Sequence, residues 1–373
     1  MRRLSNYYTQ KKQLVAGFDE RKEFLSSGSY QFDESMTYIH LDDIETSRKS
    51  KELFSHGLHI INFANGGFFV KTAVTKVLRF YFNKKLFNDR KTKEAYNGTV
   101  YLPGGNGKDV KIFDFDQNEV LITYSDREIF QQKLDTYSQF RNWFPIPPII
   151  DKDEKRKLII ERYIDYKSSE QWDDYDTKFI VNEVFRRYLE YFKETGANGK
   201  ADWVPSVEIR DLLPANSAFL EEIEGGISQG LSETPLPMLP VHGDLWSPNI
   251  LIDKEDLKKI FFIDWEMAGD MYFFYDFFVF MWNEAIINKN YSFIRYYMEG
   301  DYDSYFDHAF ELFGLEFDKG RKQEYLNIFF LNMYVRRWLD ADDRYLEWVW
   351  GEYRKFMEYV ISLDALPDMP RRT

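Results

Sequence analysis

The sequence predicts an α+β fold of two lobes, a small β-rich lobe followed by a larger helical one. Three observations predict it. Between residues 96 and 164 short apolar and aromatic runs alternate with turn residues, as strands do. Beyond residue 165, Phe179 to Thr195 and Lys322 to Leu339 carry apolar residues at helical spacing. Between these helices lies a polar loop followed by two short apolar runs, the pattern of a β-hairpin.

Residues 1–95 form an extension of mixed helix and loop without a recognisable motif. Val74, Val77, Leu78, Tyr81 and Phe82 predict an amphipathic helix there. Around it sit Lys71, Lys76, Arg79, Lys84, Lys85, Arg90, Lys91 and Lys93, and residues 1–100 carry +6 in a chain of net charge −13. Two readings stay open: a helix packed on the body with a solvated basic face, or a surface in region 71–93 for an anionic partner such as lipid or a phosphorylated glycan carrier.

The small lobe spans residues 96–164. Gly98–Leu102, Val110–Phe115 and Val120–Tyr124 are its first strands, and a helix is expected after Ser125-Asp126. Pro103-Gly104-Gly105-Asn106-Gly107 is a turn between strands. Such a turn either covers nucleotide phosphates through its backbone NH groups or is an ordinary hairpin turn. Residues 165–373 form the larger lobe.

Composition bounds the function. At 373 residues, 44% hydrophobic and 18% aromatic, the chain can bury a large core. It has no apolar run of about 18 residues, and its first residues do not lead into the apolar stretch of a signal peptide. Zero cysteines exclude disulfides and thiolate metal sites and agree with a cytoplasmic protein; five scattered histidines argue against zinc. The acidic balance argues against a general nucleic-acid binder.

The most informative stretch is His242-Gly243-Asp244-Leu245-Trp246-Ser247-Pro248-Asn249, followed by Ile263-Asp264-Trp265-Glu266. An aspartate, an asparagine five places later and an aspartate fifteen places beyond form the polar set that ATP-dependent phosphoryl transfer requires. Asp244 is the expected base toward an attacking hydroxyl. The Asn249 amide oxygen and the Asp264 carboxylate are the expected Mg²⁺ ligands, because Mg²⁺ prefers hard oxygen donors. His242 joins Asp244 and Asn249 among the catalytic candidates, as a buried brace of the loop or, alternatively, as a residue that touches substrate. Pro235, Pro237 and Pro240 keep the chain extended as it enters. The hairpin 249–253 and 259–264 sets Asn249 at the start of one strand and Asp264 at the end of the other. Taken singly, each of these residues caps a turn or strand end equally well; their joint order and spacing favour chemistry.

Through His242, Gly243, Asp244, Asn249 and Asp264 the chain resembles the aminoglycoside phosphotransferase and choline kinase group of the protein-kinase-like fold. The resemblance implies a kinase, a phosphotransferase that moves the γ-phosphate of ATP, with Mg²⁺, to a hydroxyl of a small molecule: a sugar, an aminoglycoside-like molecule or an amino alcohol. Gly243 fits this group better than the protein kinases, which carry arginine there. Tyr275-Asp276-Phe277 resembles a downstream aspartate that braces the loop, with a helix N-cap as the alternative.

The same resemblance calls for a lysine on the third strand, where counting from Gly98 finds Thr123. Lys111 on the neighbouring strand is the expected substitute, oriented by Glu128, with an exposed lysine and a first-turn glutamate as the plain alternative. Leu158–Ile164 resembles the hinge that receives adenine, with an ordinary edge strand as the alternative, which adds Glu161 and Tyr163 to the nucleotide-binding candidates Lys111, Glu128, Gly104, Gly105 and Gly107. Tyr334, Trp338, Trp348, Trp350 and Tyr353 either cage a quaternary ammonium acceptor or pack in the core. Two rivals to a small-molecule kinase follow: a pseudokinase acting as a binding module, motivated by Thr123, and a kinase acting on a cell-surface polymer precursor recruited through the basic region.

Overall fold

The structure, a computed structural model, describes residues 2–54, 68–90, 96–104, 109–213 and 217–364. The chain forms two compact units, one of residues 1–139, 145–171 and 251–261 and the other of 140–144, 172–250 and 262–373. Together they carry the antiparallel sheet and the helical region of the expected α+β class.

The first unit is built on eight strands: β1 (Gly28–Phe32), β2 (Ile39–Leu41), β3 (Phe87–Asn88), β4 (Val100–Pro103), β5 (Val110–Asp114), β6 (Glu119–Thr123), β7 (Ile149–Asp153) and β8 (Leu158–Arg162). Their order is β3-β1-β2-β4-β5-β6-β8-β7, with antiparallel neighbours. Among the described residues four helices accompany the sheet: α1 (Arg2–Glu20), α2 (Ile44–Phe54), α3 (Phe68–Asn83) and α4 (Arg127–Phe140).

Side chains alternate across a strand, so each strand feeds two cores. On one face Val15 and Phe18 of α1 pack with Tyr101, Val110, Ile112, Leu121 and Leu158. On the other, Phe130 and Leu134 of α4 and Leu53 and Phe54 of α2 pack with Val100, Phe113, Val120, Ile122 and Ile159. Lys111 therefore shares the α4 face with Phe113. Its cross-strand partner on β6 is Ile122.

The strands expected from Gly98 onward and the helix after Asp126 form where the pattern puts them. Residues before 96, however, are not a mere extension, because β1 and β2 join the same sheet and residues 1–139 belong to one unit. The expected boundary at 95/96 falls inside that unit. The expected amphipathic helix is α3, with Phe82 buried and Val77, Phe80 and Tyr81 exposed. Lys84 lies 4.2 Å from the centre of the Phe80 ring, so the exposed face is aromatic as well as basic. Lys91, Lys93 and the side chains of Lys71 and Val74 lie outside the described residues.

A short sheet joins β9 (Tyr166–Lys167), β12 (Ile250–Asp253) and β13 (Ile260–Phe262), the last two being the expected hairpin. In the second unit β10 (Asp202–Pro205), β11 (Pro235–Val241) and β14 (Gly269–Tyr272) pair antiparallel. Its helices are α5 (Asp174–Ala197), α6 (Ser206–Asp211), α7 (Ala218–Gly225), α8 (Gln229–Ser232), α9 (Tyr275–Ile286), α10 (Ser292–Glu299), α11 (Asp303–Glu311), α12 (Lys322–Met333) and α13 (Asp343–Asp364). A capping box of Asp173 and Asp176 starts α5. Every residue of α9 is buried, so this helix is the axis of the unit's core. The helical pattern read to Leu339 changes at Met333, where Tyr334–Trp338 winds as a π-helix. Among the described residues no helix is long and apolar enough to cross a membrane.

One ion pair ties helix to sheet in the first unit: Lys133 Nζ of α4 lies 2.8 Å from Glu161 Oε1 of β8, their side chains 19% and 11% exposed. Removing one partner leaves a desolvated charge behind. Lys133→Ala should lower stability by about 2–3 kcal/mol. Urea unfolding checks this, and the double variant with Glu161→Gln should recover part of the loss.

Candidate active site

The turn after β11 carries His242, Gly243 and Asp244, and a buried carboxylate shapes it. Asp276, in the first turn of α9, accepts the His242 amide on Oδ2 at 2.7 Å and the Gly243 amide on Oδ1 at 2.8 Å. The Tyr188 hydroxyl of α5 donates to the same Oδ2. Asp276 is thus the loop brace, and the N-cap position of α9 belongs to Phe274. Burial pushes the Asp276 carboxyl up from its ordinary value, against the opposing effects of His242 and these hydrogen bonds.

Gly243 is required by geometry. Its φ is +78°, and a Cβ there would lie 2.2 Å from the Met267 carbonyl oxygen. His242 is fully buried; its Nε2 faces the Ile263 carbonyl at 2.8 Å, and its Nδ1 accepts the Asp244 amide at 3.3 Å. The ring spans the loop and the strand end that precedes Asp264, which is the bracing role expected.

Asn249 Nδ2 donates to the Asp244 carbonyl at 2.8 Å and approaches Asp244 Oδ2 at 3.4 Å. With its nitrogen so engaged, the side-chain oxygen of Asn249 is left for a cation. The Ile263 amide donates to the Asn249 carbonyl at 3.0 Å, so the hairpin sets Asn249 beside the residue that precedes Asp264. Asp264 is left-handed, φ 64° and ψ 50°, a backbone that aspartate tolerates better than most residues and that recurs at functional sites. An amide oxygen and a carboxylate are donor types that fit a hard divalent cation. Deeper in the unit, Glu284 of α9 accepts the Ser247 amide at 3.1 Å and fixes the far side of the loop.

One residue of this site has no signal in the sequence. Arg337, in the π-helical turn, donates from Nη2 to Asp244 Oδ1 at 2.6 Å and to the Gly243 carbonyl. It is 93 residues from Asp244, and no motif surrounds it.

The five aromatic residues 334–353 do not enclose an open space. Phe219 occupies the centre: its ring lies 5.8 Å from Tyr334, 5.7 Å from Trp338, 6.0 Å from Trp350 and 5.3 Å from Tyr353. Trp348 is exposed and meets Tyr345 instead.

In the first unit Thr123 faces α1, since its hydroxyl accepts from Arg21 Nε at 3.3 Å. Its neighbour Ile122 faces α4, and Lys111 stands directly opposite it. Glu128 is exposed in the first turn of α4, its amide bonded to the Asp126 side chain at 2.6 Å. Gly104 closes the β4–β5 turn with its amide 2.7 Å from the Asp109 carbonyl; Gly105 and Gly107 lie outside the described residues. The Glu161 side chain serves the ion pair with Lys133.

Tyr163 packs against Phe113 and Phe115 and lines a cavity of about 220 Å³ with Phe115, Asn118, Tyr166, Ser168 and Lys254. The cations at this cavity already hold carboxylates: Arg48 with Glu52 at 3.4 Å, Lys49 with Glu45 at 3.0 Å, Lys254 with Glu52 at 2.8 Å and Asp165 at 2.9 Å. It therefore suits a neutral ring better than a phosphate.

Residues 194–310 match the APH phosphotransferase enzyme family, the family the sequence resembles. This segment contains His242, Asp244, Asn249, Asp264 and Asp276; Arg337 lies beyond it. No curated protein matches the chain. Among solved structures, aminoglycoside phosphotransferase APH(3'')-Id from Streptomyces rimosus is 14% identical with a TM-score of 0.35, covering 62% of this chain and 92% of its own. Choline kinase LicA from Streptococcus pneumoniae is 12% identical, TM-score 0.39, covering 70% and 92%. A thermostable mutant of aminoglycoside phosphotransferase APH(4)-Ia is 15% identical, TM-score 0.46, covering 69% and 93%. Likenesses at this level assign no residue a role.

The raised Asp276 carboxyl makes a pH prediction. The folded state holds this proton more tightly than the unfolded chain, so the contribution is full below the ordinary value of 3.8 and is lost as pH rises through the folded value. The stability of the wild type relative to Asp276→Asn should fall as pH rises above that ordinary value. Denaturant unfolding across that range checks it, and a flat difference contradicts it.

Proposed function

We propose that this phosphotransferase-family chain is an ATP- and Mg²⁺-dependent small-molecule kinase whose acceptor is a hydroxyl of a sugar, an aminoglycoside-like molecule or an amino alcohol. The observation that carries the reading is the loop itself: Asp244 held through its carbonyl by Asn249, with its preceding amides pinned by Asp276.

Phosphoryl transfer passes through a loose transition state, so the protein's task is orientation and charge compensation more than proton abstraction. Asp244 receives the acceptor's proton. Its Oδ1 is engaged by Arg337, while among the described residues Oδ2 has only the 3.4 Å approach of Asn249 and is the oxygen left for the acceptor hydroxyl. Asn249 through its side-chain oxygen and Asp264 through its carboxylate would hold Mg²⁺. Bound there, Mg²⁺ supplies charge neutralisation on the phosphate oxygens.

In the first unit the nucleotide is assigned to the α4 face of β5. The base takes the ring-lined cavity at Phe115 and Tyr163, and the phosphates lie toward Lys111 and the turn that begins at Gly104. Four residue steps separate Phe115 from Lys111, about 13 Å in extended chain. What supports Lys111 is parity: it stands opposite Ile122 on the sheet face that meets the helix, where Thr123 does not.

Thermal unfolding tests this reading. A ligand that binds only the folded state raises the melting temperature by mass action. ATP with Mg²⁺ should raise it by a few degrees. Asp264→Asn should abolish the Mg²⁺-dependent part, and Lys111→Ala should reduce the rise produced by ATP alone. No rise in any condition is the behaviour of a binding module without nucleotide chemistry.

A further inference from the structure

Asp244 is gripped by a residue that the phosphotransferase match does not reach. Arg337 contacts the loop twice through Nη2, at Asp244 Oδ1, 2.6 Å away, and at the carbonyl of Gly243. The contact is sheltered: the Arg337 side chain is 21% exposed and that of Asp244 29%. The Tyr275 hydroxyl interacts with the guanidinium, and burial pushes that hydroxyl up to about 12, so it stays uncharged beside Asp244.

The element that presents Arg337 is itself unusual. Helix α12 runs regularly to Met333, and Tyr334–Trp338 is π-helical. A π turn carries one more residue per turn than an α-helix, which re-aims the side chains that follow, and such turns concentrate at functional sites. Here Tyr334 and Trp338 are buried, so the widened turn is pinned at both ends while Arg337 reaches the loop.

We infer that Arg337 is a positioning residue for phosphoryl transfer: it fixes the rotamer of the Asp244 carboxylate by holding Oδ1, so that Oδ2 meets the acceptor oxygen. The inference rests on the reading of Asp244 as the base. Asp276 fixes the loop backbone from one side and Asn249 fixes the Asp244 carbonyl; neither holds Oδ1. Without Arg337 the carboxylate keeps its place in the chain but is free to turn about its side-chain bonds. Orientation of this kind acts on turnover and leaves nucleotide affinity largely unchanged.

The test uses the full chain and MgATP, with water as the phosphoryl acceptor and ADP release as the readout. Arg337→Ala should lower kcat about a hundredfold and change KM for ATP less than about threefold. Added guanidinium chloride, well below denaturing concentration, should restore part of kcat, whereas potassium chloride at equal ionic strength should not. Arg337→Lys, which keeps the charge and loses the fork, should fall between wild type and Arg337→Ala. Combining Arg337→Ala with Asp244→Asn should cost no more than Asp244→Asn alone, because the two residues act as one unit. If Arg337→Ala keeps kcat within about threefold, or the losses of the two variants multiply, the inference fails while the reading of Asp244 stands. Wild-type protein that releases no ADP, or Asp244→Asn that matches wild type, overturns the reading of Asp244 and the inference with it. Should Arg337→Ala not fold, Arg337→Lys and Arg337→Gln carry the same comparison.

Discussion

The Asp276 carboxylate takes the amides of His242 and Gly243 and the Tyr188 hydroxyl in a fully buried setting, and the placement of Asp244 follows from it. Each buried amide left without an acceptor costs about 1–3 kcal/mol, so the loop has one low-energy shape and Asp276 defines it. That shape demands a positive φ at residue 243 with no room for a Cβ, which explains the glycine between His242 and Asp244. The carboxylate also rests on α9, whose residues are all buried, so the loop is referenced to the core of its unit.

Around this anchor the reactive groups are held by short-range hydrogen bonds. Asn249 reaches back to the Asp244 carbonyl, His242 spans to Ile263, and the hairpin aligns Asn249 with the residue before Asp264. The loop and the hairpin that follows it are thus tied together by side-chain and backbone hydrogen bonds. Preorganisation at this level is what a reaction dominated by positioning and electrostatics requires. Arg337 completes the set from a helix far along the chain.

The loop 242–249 was legible in the sequence because its polar residues lie close together, and Asp264 because a hairpin of two apolar runs leads to it. Asp276 was legible only as one of two readings, since an aspartate at a helix start looks the same whether it caps that helix or reaches to another segment. Arg337 was illegible: its partner lies 93 residues away, and a π turn has no composition of its own. The strands from Val100 onward announce themselves by apolar runs, but β1 and β2 offer only Tyr30, Phe32 and Ile39 as buried apolar residues among polar neighbours. Their absence from the strand pattern made residues 1–95 look separate. Thr123 illustrates a different limit. β6 carries Thr123, but which of two adjacent residues faces the helix is a matter of parity, and parity is set by the packing of α1 and α4.

The most direct measurement is transfer of labelled γ-phosphate from ATP to a panel of sugars, aminoglycosides and amino alcohols, with Mg²⁺, by wild type and Asp244→Asn side by side. The account predicts a labelled product with at least one hydroxyl compound from the wild type and its loss by several orders of magnitude in the variant. Equal transfer by the two proteins would contradict the role given to Asp244.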